Sequence, residues 1–248
     1  MKLIHFYPSK ESILASTPAL AISQHDLSQG QHTSWRTHSS VTVHVLCMQG
    51  VLRLDIDKPM FAANLVPGEL YSLPPELAYR LSAAHGSAGF LAVVSGSQRD
   101  LEEVEVLHAN REPFLRRAPA ERTISREANI DKHFENYEAG YTRVDVLART
   151  EQLRVLVLGL GERQCVPWHS HDHIEDTFFC MDGPMRIETR EPESTQVLLP
   201  GETGRAAAGV PHFVSGIFGN ACTFLIVQGV GQYNYVPFRT TLMGQPVQ

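Results

Sequence analysis

The sequence predicts an all-β protein made of two tandem β-barrels related by an internal duplication. Three observations carry this. Shifting the chain by 133 positions lays Trp35 on Trp168, His38 on His171, Cys47-Met48 on Cys180-Met181, Gly50 on Gly183, Arg53 on Arg186, and Pro67-Gly68-Glu69 on Pro200-Gly201-Glu202. From Trp35 to Gly96, 16 of 62 positions are identical without a gap, where chance at ordinary residue frequencies gives about four. Second, the apolar residues recur with period two, the signature of strands with one buried face. Third, helix signals are weak: only Arg99 to Val106 and Asp131 to Glu138 have the pattern for a helical turn or two.

In chain order, Val41, Val43 and Val45 alternate with Thr42 and His44, which makes a strand. A tight turn at Gly50 and a second strand follow, with Leu52, Leu54 and Ile56 alternating with Arg53, Asp55 and Asp57. In the later copy Leu153, Val155 and Val157, then Phe178-Phe179-Cys180-Met181, then Phe224 to Val227, read as further strands. The repeat sets the boundaries: a first barrel over residues 1–100, a charged connector over 101–135, and a second barrel over 136–248.

Composition limits the function classes. The chain has 248 residues, 43% apolar and 19% charged, enough for a real core. Its 21 Lys+Arg against 27 Asp+Glu give a formal charge of −6, which argues against nucleic acid or an anionic membrane as partner. No apolar run reaches the roughly 18 residues of a membrane span. Lys10, Glu11 and Pro18 interrupt any signal-peptide segment, so a cytoplasmic protein is expected. Cys47, Cys165, Cys180 and Cys222 form no CxxC pair, which suits a reducing compartment.

The later copy concentrates the metal-ligating residue types. His169 and His171 are two apart, so on a strand both imidazoles face the same way while Ser170 faces the other. His212 follows about forty residues later, and a carboxylate from Glu175 or Asp176 would complete a mononuclear nitrogen/oxygen site. The repeat separates these two candidates. Asp176 falls on Val43, within the inward Val41/Val43/Val45 set, whereas Glu175 falls on Thr42. His212 falls on Tyr79, in phase with Leu77 and Leu81. In the first copy the four positions hold Arg36, His38, Val43 and Tyr79, which cannot grip a metal.

These residues resemble a known family. The run from Gly161 through His169, His171 and Asp176 to Gly183 is similar to the first motif of the cupin superfamily, and six residues lie between Asp176 and Gly183 as that motif requires. The run from Pro200-Gly201 through Gly209 to His212 resembles the second motif. There are departures: the spacing from Gly161 to His169 is two residues longer than usual, Asp176 replaces the usual Glu, and Ala207 and Gly216 replace Pro and Asn. The resemblance implies a bicupin of two jelly-roll barrels with one divalent transition metal (Fe, Mn, Ni or Zn) per chain. It also implies a range of activities: dioxygenases of enols and diketones, sugar-phosphate isomerases, decarboxylases, and non-catalytic or sensory binders.

The inward residues Phe178, Cys180, Val210 and Val214, with Arg186 on the next strand, are expected to line the pocket. A mostly apolar pocket fits a small aromatic or enolic substrate better than a phosphorylated sugar. Oxygenase-like chemistry on a small organic molecule is therefore the leading expectation, in a chain expected to pair as a homodimer. His85, His108, His133 and His173 are read as ordinary surface or structural histidines, Cys47 as core filler, and Trp35 and Trp168 as packing anchors.

Overall fold

The computed structural model describes residues 10–96, 101–104 and 141–238. Among these residues it is all β, apart from one 3-10 turn at Ile217–Gly219. The first half contains β1 (Lys10–Thr17), β2 (Leu20–Leu27), β3 (Arg36–His38), β4 (Thr42–Ile56), β5 (Phe61–Leu65), β6 (Leu70–Leu73), β7 (Tyr79–Ser95) and β8 (Leu101–Glu103), joined in one eight-stranded sheet. The second half contains β9 (Arg143–Arg149), β10 (Leu153–Leu160), β11 (Cys165–Ser170), β12 (Asp176–Asp182), β13 (Met185–Thr189), β14 (Ser194–Leu198), β15 (Thr203–Ala206), β16 (His212–Gly216), β17 (Cys222–Gly229) and β18 (Val236–Pro237). These make two five-stranded sheets, in the orders β15-β12-β17-β10-β9 and β14-β13-β16-β11-β18. Leu156, Phe178 and Ile226 of one sheet meet Val166, Ile187 and Val214 of the other in a shared core.

Two expectations are corrected. No turn separates the strands at Gly50: β4 runs unbroken through it, and the glycine's φ of +70° serves a bulge against β7 instead. Its equivalent Gly183, with φ +66°, does end a strand, because β12 stops at Asp182 and β13 starts at Met185. The Arg99–Val106 segment is not helical where it is described, since Leu101–Glu103 pairs with Arg36–His38 as β8. Asp131 to Glu138 and most of the expected connector lie outside the described residues.

The two halves meet through matching surfaces. Leu20, Ile22, Leu46, Leu91 and Val93 pack with Leu153, Val155, Phe179, Leu225 and Val227 in one buried cluster. This explains why β12 reads as the continuous apolar run Phe178 to Met181: one face fills its own core and the other lies on the first half. The contacts at the edge of this cluster are reciprocal. A Cβ on Gly68 would run into the carbonyl oxygen of Met181, and a Cβ on Gly201 into that of Met48. The members of each pair are 133 apart in sequence, so the halves face one another about an approximate two-fold axis.

The strand registers also correct the gapless alignment. Cys47 lies opposite Phe90, and Cys180 lies opposite Phe224, a separation of 134 rather than 133. The backbone oxygens crowding Gly50 and Gly183 belong to Ser87 and Ala221, also 134 apart, so Asn220 is the extra residue. Val94 therefore corresponds to Gln228, not to Val227. Among the described residues no helix is long and apolar enough to cross a membrane.

Gly68→Ala and Gly201→Ala should each destabilise by about 2–4 kcal/mol, combining a left-handed backbone with a clash against fixed backbone. Gly209→Ala, at φ +76° but with open space around it, should cost only about 1 kcal/mol. Denaturant midpoints of the three variants check the difference.

Candidate metal centre

Strand pairing builds the site. On β11 and β16, His169 lies directly opposite His212, and His171 follows one residue after β11 ends. Asp176 opens β12 in the facing sheet, between Ala206 and Gln228. One sheet thus supplies three imidazoles and the other the carboxylate. All four are buried, at 3%, 2%, 1% and 1% exposure for His169, His171, Asp176 and His212. Their ligand atoms lie within 4.8 Å of one another.

The imidazoles are oriented from behind. His169 Nδ1 donates to the Pro167 carbonyl at 2.7 Å and His212 Nδ1 to the Val210 carbonyl at 3.0 Å, while His171 Nδ1 donates to the Asn234 carbonyl. These bonds fix the tautomer, leaving each Nε2 a lone pair turned toward the centre. His171 Nε2 and His212 Nε2 have no properly directed hydrogen-bond partner among the described residues, yet Asp176 Oδ2 lies 3.2 and 3.3 Å from them. Lone pairs facing a carboxylate at that distance repel unless a cation, either a proton or a metal ion, sits between them. Ligand atoms about 2.1 Å from a common ion and at right angles to each other are about 3.0 Å apart. The donor set therefore fits a metal, and the shorter Asp arm reaches the shared point.

Electrostatics agree. Burial, reinforced by His212, pushes the His169 imidazole down to about 3, so it is held neutral. For Asp176 burial alone would raise the pKa, but the facing His171 and His212 imidazoles, 3.2 and 3.3 Å away, hold it well below the usual carboxylate range. Burial pulls His171 down as well, but the facing Asp176 carboxylate outweighs that pull and holds it above its ordinary 6.5, so a proton and a metal compete for the same point.

Of the remaining expected site residues, Phe178 and Val214 line the cavity beside the ligands. Cys180 does not line it. Its side chain lies in the core, its thiol donates to the Gly183 carbonyl at 3.1 Å, and burial pushes its pKa up to about 12. Arg186 points away to Glu188 at 2.9 Å, and Val210 contributes its carbonyl rather than its side chain. Glu175 turns outward, 3.6 Å from Arg205, as strand parity requires. His85 and His173 are exposed, and Trp168 packs on Phe213 beneath Arg190. His108 and His133 lie outside the described residues.

Sequence reasoning missed the groups around the ligands. Gln228 Nε2 donates to Asp176 at 3.2 and 3.4 Å to its two oxygens, and Arg154 donates to Gln228 Oε1 at 2.7 Å while lying 3.2 Å over the Tyr233 ring centre. Arg154 was legible as the one charge in the otherwise apolar β10, which is buried throughout. Gln228 was hidden by the one-residue shift at Asn220. Tyr233 and Tyr235 flank Asn234 and place their rings 5.0 Å from His171 and 4.7 Å from His169. Tyr141 closes the cavity, its phenol pushed well above its ordinary pKa by burial and by the neighbouring Tyr233, Tyr235 and Asp176. The cavity is small, about 20 Å³ for the centre of a water-sized sphere, which is room for about one water.

No protein-family model matches the chain, and no curated protein does. Among solved structures, a cupin 2 conserved barrel domain protein from Leptotrichia buccalis aligns with TM-score 0.55 at 10% identity, over 92% of each chain. Oxalate decarboxylase from Bacillus subtilis aligns with TM-score 0.42 at 17% identity, over 93% of this chain and 74% of that one, a likeness too loose to bear on chemistry. The fold is thus of the cupin type, all β, and it encloses a buried group of three His and one Asp that could hold a metal.

Because protons and metal compete for the same Nε2 atoms, Mn²⁺ occupancy in equilibrium dialysis should be high at about pH 8 and fall steadily toward about pH 6. The raised His171 pKa brings the loss in at a higher pH than an ordinary imidazole would, and Asp176 stays ionised throughout this range. Gln228→Leu should weaken Mn²⁺ binding by about 10–100-fold, read by competition with a chelator.

Proposed function

We propose that the chain is a bicupin, with barrels over residues 1–100 and 136–248 descended from one duplicated unit, and that the second barrel is a dioxygenase-like metalloenzyme acting on a small oxygen-rich organic molecule. The reciprocal Gly68–Met181 and Gly201–Met48 contacts support the duplication. The activity rests on one observation: three imidazole nitrogens and a carboxylate converge, buried, beside a cavity that opens onto apolar side chains.

His169, His171, Asp176 and His212 would hold the ion. A divalent transition metal there supplies Lewis-acid polarisation of a substrate oxygen and, where redox-active, electrons for O₂. The protein's own residues do the rest. Phe178, Val214, Phe224 and Ile226 keep bulk water from the reacting end, and with room for about one water beside the ligands they admit only a compact oxygen-bearing group there. Tyr141 keeps its proton at Oη and lines the cavity beside the ligands. Gln228, held by Arg154, fixes the Asp176 carboxylate.

The small cavity also suits a non-catalytic binder of a compact ligand, and turnover separates the two. Protein purified without a His tag should carry about one metal per chain, and oxygen-electrode assays over enols, β-diketones and catechols should show metal-dependent O₂ uptake. His171→Ala should lose both metal and turnover. An unaltered metal content in that variant would refute the ligand assignment, and a full metal complement with no O₂ uptake on any substrate would leave the binder.

A further inference from the structure

A buried cation stands close behind the candidate metal centre. Arg154, the single charge on β10, is 5% exposed, and Asp176 is 1% exposed. Among the described residues of the second half these are the only buried Lys, Arg, Asp or Glu side chains. One amide separates them: Gln228 Oε1 accepts from Arg154 at 2.7 Å, and Gln228 Nε2 donates to Asp176 at 3.2 Å. The guanidinium also lies 3.2 Å from the ring centre of Tyr233, which lines the cavity beside the ligands. Its charge reaches the site, where, after burial, it opposes protonation of His171.

Imidazoles bind an ion as neutral donors, so Asp176 is the one ligand in the group that carries charge. Arg154 offsets that charge from one residue further out. A divalent ion at the centre would therefore keep both of its positive charges unbalanced in a buried, low-dielectric space, where such an excess is unfavourable. Water, a neutral ligand, leaves the excess in place. A singly charged anion at the position the protein leaves open removes half of it. Without the guanidinium, Asp176 alone would already remove that half, and the preference for an anion would weaken. The cavity sets the size: with room for about one water, it admits one small donor.

Resting on the reading of this group as a metal centre, we propose that Arg154 is a specificity-determining residue that makes the open position selective for a small anion. A substrate enters it through one deprotonated oxygen, and neutral carbonyls and alcohols are discriminated against. Arg154 acts through its charge and touches neither the ion nor the substrate.

Fluoride, close to water in size and singly charged, is the probe, read by ¹⁹F NMR on the full chain loaded with about one Mn²⁺ per chain. The paramagnetic ion should broaden the fluoride line saturably, the Zn²⁺-loaded protein should not, and excess methanol, a neutral oxygen donor, should fail to displace the fluoride. Arg154→Met, which removes the charge, should weaken fluoride at least about tenfold at unchanged Mn²⁺ content. Arg154→Lys, which keeps the charge without the planar fork, should stay within about threefold of the parent. A merely structural role would move both variants alike. Displacement of fluoride by methanol, parent-like affinity in Arg154→Met, or equal losses in the two variants would each overturn the proposal. Should Arg154→Met fail to fold, the contest between fluoride and methanol in the parent decides. A parent that takes up no Mn²⁺ would overturn the metal reading and this proposal together, whereas a full Mn²⁺ complement with a sharp fluoride line would overturn this proposal alone.

Discussion

Four electron-pair donors converge at the second-half site, where almost no water reaches them. Three imidazoles come from one sheet and a carboxylate from the other, each imidazole locked from behind by a backbone carbonyl. Placing such groups face to face is costly unless a cation joins them, because each buried lone pair would otherwise lose its solvent partner and gain a repulsive neighbour. The local structure follows from that constraint. β11 and β16 must pair with His169 opposite His212, and residues 231–238 must return across the site so that the Asn234 carbonyl meets His171. A cation at this point would tie the two sheets together at one end of their shared core.

How much of this was legible in the sequence depends on the reach of the signal. Strand parity plus the repeat separated Asp176 from Glu175, because inward and outward alternate strictly and the first copy shows which phase is apolar. The rest of the candidate set came from two histidines at i and i+2, a third His about forty residues on, and the resemblance of the motif runs. The surrounding groups needed long-range register. Gln228 faces Asp176 only because Asn220 adds one residue before β17, and a gapless comparison places Gln228 on Ser95, where it means nothing. The reading of Gly50 as a turn failed for a similar reason. A glycine at positive φ serves a bulge or a turn equally well, and which one it serves is decided by the partner strand, continuous β7 in one half but β16 and β17 separated by a 3-10 turn in the other. The pocket expectation erred at Cys180 and Arg186 because inward phase does not say how deep a residue lies. Cys180 is inward but lies in the core rather than on the cavity wall, and Arg186 leans along its strand to Glu188.

The two halves differ in the charge carried at their corresponding inward positions. Both keep Trp at equivalent positions under an arginine, Arg80 over Trp35 and Arg190 over Trp168, so the frame around each site is alike. The chemistry differs through a few inward positions. His169, Asp176 and His212 present electron pairs to a cation, while Arg36, Val43 and Tyr79 remove the negative charge and present N–H and O–H groups.

The interface between the halves also bears on the metal site. Along β12 the inward residues Asp176, Phe178 and Cys180 alternate with outward ones, of which Phe179 and Met181 are seated against Leu20, Ile22 and Leu46 of the first half. With a side-chain period of two, fixing Phe179 fixes the direction of Phe178 and, two residues back, of Asp176. The reciprocal glycine contacts at Met48 and Met181 leave no room for that strand to slide. The first half thus holds the carboxylate-bearing strand of the second from outside, and the placement of Asp176 is set by apolar packing across the approximate two-fold axis as well as by the ligands it faces.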